Sequence, residues 1–141
     1  MARIVYPEEE DFRVFIHLIT RGNYRIKKYL PVVDDEWYRI MIDCVNYVSH
    51  TSQYEKNLTI HQIAANLLYK VAKRHELNDG NKRSGVMCVV LFGLVNDYGV
   101  TFPERLKCQA KRIASTKGRN NEDLMRRRVA VSLETIMSPI A

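Results

Sequence analysis

Nine consecutive residues, His75-Glu76-Leu77-Asn78-Asp79-Gly80-Asn81-Lys82-Arg83, bring together an imidazole, two carboxylates, two amides and two cations around one apolar side chain and one glycine. That is the inventory of a phosphate-handling site. An imidazole titrates near neutral pH, so His75 could take the proton of an incoming hydroxyl. Asp79 could hold one position of Mg²⁺, an ion that accepts one or two carboxylates and fills its remaining positions with water and substrate phosphates. Lys82 offers a mobile point charge and Arg83 a forked donor, both suited to phosphate oxygens.

Two helical patterns flank the run and must position it. Upstream, Ile60, Ile63, Ala64, Leu67, Leu68, Val71 and Ala72 recur at spacings of three and four, which predicts a helix over about 59–75 with one buried face. His75 falls four residues past Val71 and continues that stripe. Downstream, Val86 to Val95 is apolar apart from Gly93, long enough for a helix buried on all sides and too short to span a bilayer. Gly80 and Asn81 precede this second helix, expected over about 81–98. Free backbone N–H groups and the positive end of the helix dipole gather there and attract anions, and Gly80 would let the chain turn without a Cβ clash. Taken singly, each residue has a plainer explanation: Asp79 as an N-cap, Lys82 and Arg83 as a solvated first turn, His75 as a structural helix end. Their conjunction favours a site, because cations in a first helical turn oppose the macrodipole unless an anion joins them.

The pattern His-x-Leu-x-Asp-Gly-Asn-Lys-Arg resembles the active-site motif of the Fic/Doc family, and the likeness extends from about Thr59 to Pro103. By that resemblance His75 is the general base for a target hydroxyl, Asp79 holds Mg²⁺, Asn81 helps form an anion hole, and Lys82 and Arg83 bind nucleotide phosphates together with Gly80. Leu77, where the family usually has Phe, anchors the loop. AMP-transferring members usually read Gly-Asn-Gly-Arg-x-x-Arg, whereas here Lys82 replaces the second Gly and Val86 stands where the second Arg would be. The chain is therefore more similar to the Doc, or death-on-curing, branch. Its chemistry is transfer of the γ-phosphoryl group of ATP to a protein hydroxyl, with a translation factor as the precedent for a target. The resemblance also implies a Fic/Doc-type helical bundle with a short β-hairpin flap ahead of the motif helix, for which residues 50–58 are the candidate against a plain surface loop. Thr51 to Lys56 matches only five positions of the family's inhibitory Ser/Thr-x-x-x-Glu-Gly/Asn sequence, so restraint by a separate antitoxin protein is implied instead.

The rest of the chain fits one all-α domain over 1–141, with further helices expected at about 8–20, 34–49, 103–116 and 121–137. Asp34 or Asp35 and Pro103 supply helix starts. A 46% hydrophobic content suffices for one core. Cys44, Cys88 and Cys108 occur singly without metal-ligand spacing, which predicts buried thiols in a reducing compartment, and the early acids Glu8 to Asp11 match no signal or transit peptide, so the expected location is cytoplasmic. A net charge of +6 raises nucleic-acid binding as a rival function, since basic clusters bind phosphate backbones with little specificity. The arginine run Arg126-Arg127-Arg128 keeps the stripe Met125, Val129, Leu133 and Ile136, however, which favours an ordinary amphipathic helix. The expected function is thus a Doc-like, Mg²⁺-dependent phosphotransferase with ATP as co-substrate, acting on a Ser, Thr or Tyr hydroxyl, with neither membrane nor nucleic acid as partner. AMP transfer is the alternative within enzymes, and a catalytically idle basic binding module the alternative outside them.

Overall fold

Three helices begin where a side chain satisfies the first free N–H groups. In the computed structural model, which describes residues 3–55, 57–74, 80–115 and 122–140, helix α1 (Glu9–Arg21) starts with the Glu8 N–H donating to the Asp11 carboxylate at 2.8 Å. Helix α2 (Asp35–Ser52) starts with the Asp34 carboxylate accepting from the Trp37 N–H at 2.8 Å. Helix α3 (Ile60–Ala72) has a reciprocal box: the Thr59 hydroxyl accepts from the Gln62 N–H, and the Gln62 side chain accepts from the Thr59 N–H. Helices α4 (Gly80–Val95), α5 (Pro103–Ser115) and α6 (Glu122–Ile136) follow, with Pro103 at the first position of α5, where its missing N–H costs nothing.

All six helices contribute to one continuous cluster of buried side chains. Its centre is the α3–α4 pair, with α3 also packing on α2, α5 and α6. Ser84 through Gly93 of α4 are all buried, so this helix is enclosed on nearly every side, as its unbroken apolar run requires. Gly85 allows the close approach to α3: a Cβ there would come within 2.9 Å of the Leu68 side chain. At the other end of α4, a Cβ on Gly93 would press on the Tyr98 carbonyl at 3.1 Å.

Several boundaries differ from expectation. Helix α4 stops at Val95 because Asp97 takes a left-handed conformation, φ 63°, and redirects the chain into strand β1 (Tyr98–Val100). Helix α6 stops at Ile136 because Met137–Pro139 forms β2, antiparallel to β1 with Val100 opposite Met137. This ribbon is the sole strand pairing among the described residues, so the chain is mostly helical. Residues 50–58 form no hairpin where described: His50 to Ser52 complete α2, and Asn57, at φ 63°, breaks the extension a strand would need just before the α3 cap. Lys56 lies outside the described residues. A 3₁₀ turn, Arg25–Tyr29, burying Ile26 and Tyr29, occupies the connection between α1 and α2. Cys44 and Cys88 are buried as expected, and burial drives the Cys88 thiol far above its ordinary range, leaving it inert. Cys108 is exposed, because it lies on the side of α5 opposite the buried Leu106, Ala110 and Ile113. No helix among the described residues is long and apolar enough to cross a membrane.

Candidate active site

The motif's second half forms the leading end of α4, and one side chain secures it. The Asn81 Nδ2 donates to the Ala72 carbonyl at 2.7 Å, and the Asn81 Oδ1 accepts from the Lys82 N–H at 2.9 Å. The last turn of α3 and the first turn of α4 are thereby tied together, so the connection that carries the motif is closed at its base. Asn81 was expected to contribute to an anion hole. Its amide has one Nδ2 hydrogen committed to Ala72 and a second left to donate.

Gly80 does a different job from the one expected. It is already the first residue of α4 and does not occupy the left-handed region. A Cβ there would make ordinary contact, 3.6 Å, with the Cβ of Pro31. The contact is informative for another reason: it runs the connection Leu30–Asp34, which forms no helix or strand, alongside the start of α4. Val32 in that segment is 87% exposed.

Lys82 is half-buried and Arg83 exposed. Among the described residues neither makes an ion pair. Two cations in a first helical turn, with no carboxylate partner among the described residues, oppose the dipole and each other, an arrangement that a bound anion relieves. One residue on, Ser84 is fully buried and its Oγ accepts from the Trp37 Nε1–H at 2.8 Å. This bond fixes the first turn of α4 against α2. Val86 is also fully buried. An arginine at that position would have to bury its guanidinium in the core, so a second phosphate-clamping arginine has no place there.

His75 and Asp79, the expected base and metal ligand, lie outside the described residues with Glu76, Leu77 and Asn78. Among the described residues no cluster of His, Cys, Asp and Glu could hold a metal ion, and the described donors at the head of α4 are cationic. A divalent ion here would take its protein carboxylate from Asp79 and its other ligands from phosphates and water. A cleft of about 820 Å³ lies elsewhere, at the opposite ends of α3 and α4, lined by Ser52, Thr59, His61, Asn96 and Tyr98 among others. It lacks any motif residue, so unpaired charge and not concavity marks the site.

Trp37, Ser84 and Pro31 were not singled out from the sequence. A signal existed for the first two: a lone indole in the apolar stripe of α2 needs an acceptor when buried, and Ser84 is a hydroxyl at the head of an apolar run. Comparison with known proteins yields no matching family model and no matching curated relative.

Proposed function

We propose that the protein is a Doc-like phosphotransferase that moves the γ-phosphoryl group of ATP to a hydroxyl of a protein target. His75 takes the hydroxyl proton, the hydroxyl oxygen bonds to the γ-phosphorus, and the bond from phosphorus to the β,γ-bridging oxygen breaks, releasing ADP. Lys82, Arg83, the second Asn81 hydrogen and the first N–H groups of α4 hold the phosphates and offset the charge that builds on them. Mg²⁺, held through Asp79, would supply further charge neutralisation. The observation that carries this reading is the pair of cations in the first turn of α4, without carboxylate partners among the described residues, next to the Asn81 bond that ties α4 to the end of α3. The burial of Val86 supports phosphoryl over AMP transfer. The target-holding segment falls to Leu30–Val33, which lies alongside Gly80 and exposes Val32, in place of residues 50–58. A separate antitoxin protein would then restrain the enzyme in trans.

Labelling a cell lysate with [γ-³²P]ATP and, in parallel, [α-³²P]ATP tests the assignment. Label from the γ position alone, lost in His75→Ala, is the expected outcome. Label from the α position would convert the reading to AMP transfer. Incorporation from neither, with the protein folded and Mg²⁺ present, would sink it.

A further inference from the structure

The 3₁₀ turn Arg25–Tyr29 and helix α5 both pack on α4, and positive charge gathers where Lys107 of α5 reaches the turn. The Lys28 Nζ lies 5.2 Å and the Lys107 Nζ 5.6 Å from the centroid of the same Tyr29 ring. Two ammonium groups from elements nearly eighty residues apart thus share one aromatic ring, which attracts each of them. Arg25 and Lys27 extend the patch along the turn, and Lys111, four residues past Lys107, continues it along the same side of α5. Lys27 donates to the Gly22 carbonyl; none of these five residues makes an ion pair among the described residues. The sequence reinforces the point: no acid occurs from Gly22 to Val33, from Gly80 to Asn96, or from Arg105 to Asn121, and Glu104 is the one carboxylate of the two elements.

We infer that this face docks the phosphate backbone of a nucleic acid. Two ligand chemistries suit a cationic surface with Glu104 as its one carboxylate, a phosphodiester chain and an acidic protein. Protein interfaces are depleted in lysine and organised around buried aromatic or aliphatic anchors. Here lysine supplies four of the five patch cations, the aromatic ring between them is buried, and the nearby exposed aromatics, Tyr24 and Phe102, stand apart at the ends of their elements. A row of mobile point charges with no anchor is how a protein tracks a backbone without reading sequence. The arginine run of α6 is not part of this surface: Arg126 is paired with Asp123 one turn away. The inference does not depend on phosphoryl transfer. If both hold, the enzyme reaches targets that travel on nucleic acid.

The test is fluorescence anisotropy with a labelled 24-base-pair duplex, made once as DNA and once as RNA, titrated with the full chain without nucleotide. Salt is stepped between 50 and 200 mM KCl. Four backbone contacts predict a loss of affinity of roughly a hundredfold across that range, and Lys107→Gln/Lys111→Gln should reduce the loss to about tenfold. Lys28→Gln should act in the same direction, whereas Arg13→Gln, on the α1 surface, should change nothing. Tighter binding of the RNA than of the DNA duplex would name the source, and equal binding a shared backbone. His75→Ala should bind as wild type, which separates this result from any failure of the transferase. No binding at 50 mM KCl, a salt dependence indifferent to the lysine changes, or tighter binding of a poly-glutamate chain of equal charge would each overturn the inference.

Discussion

The α1–α2 surface and the surface made by the 3₁₀ turn, the head of α4 and α5 treat their cations in opposite ways. On the first, Arg13 reaches Glu9 at 3.0 Å and Asp35 at 3.5 Å, while Arg39 is bonded to Glu36 and to Asp43. Arg13 and Arg39 each lie against two counter-charges, so the summed field around them is small a few ångströms out. On the second, Arg25, Lys28, Lys82, Arg83, Lys107 and Lys111 have no carboxylate partner among the described residues. Exposed ion pairs contribute little to stability, so pairing on the first surface chiefly keeps it inert. Leaving the second unpaired sacrifices equally little stability and preserves a field that draws anions. Function is therefore to be sought where the helical surface declines the neutralisation available elsewhere on the same chain.

The largest effect should come from deleting a cation of each kind. Arg83→Ala should lower phosphoryl transfer by roughly 10²- to 10³-fold, as removing one preorganised donor from a developing charge does elsewhere, and it should leave thermal stability unchanged because Arg83 is exposed and unpaired. Arg39→Ala should leave transfer intact. Equal losses from the two substitutions, measured by γ-label incorporation, would dissolve the distinction between the surfaces.

An intermediate effect should appear beneath the surfaces, where α2 and α4 are joined by the Trp37–Ser84 bond. Ser84→Ala strands a buried indole N–H and should cost about 1–3 kcal/mol, read as a drop in the denaturant midpoint. Trp37→Phe/Ser84→Ala removes both polar partners and should cost less than the two single changes added together. Additive losses would mean the bond does not hold the head of α4 in place.

How much of this was legible in the sequence follows from the range over which each force acts. Helix periodicity is local and placed all six helices to within a few residues, and the apolar run 86–95 announced the buried helix. The ribbon was not legible, since Tyr98–Val100 pairs with Met137–Pro139 nearly forty residues on, and three-residue strands leave no period to read. Residues 50–58 form no flap where described because they follow a helix whose last turn reaches Ser52, and that Pro31 lies beside Gly80, close in space and distant in sequence, left no local signal. Within the motif, Lys82 and Arg83 sit where the spacing put them, at the first turn of α4. Asn81 showed only its chemistry in the sequence: that its amide would fasten α4 to Ala72 depends on how α3 ends, which no single-residue pattern encodes. His75 and Asp79 belong to residues 75–79, outside those described.

The smallest effect belongs to the paired surface and tests whether its pairing is as inert as proposed. The Arg39 guanidinium, hydrogen-bonded to Glu36, holds that carboxyl below its ordinary range, with slight desolvation pulling the other way. A carboxyl whose folded pKa lies below its unfolded one stabilises the fold above the unfolded value, and that contribution drains away as pH falls through the folded value. Both side chains are more than half exposed, so solvent screens most of it. Between about pH 5 and about pH 3, wild type should lose slightly more thermal stability than Glu36→Gln, and 0.5 M salt should erase the difference. The same substitution should leave nucleic-acid affinity and γ-label incorporation where they were. A change in either would mean that the charge of the α1–α2 surface reaches the far side of the bundle, and that the two surfaces act as one field.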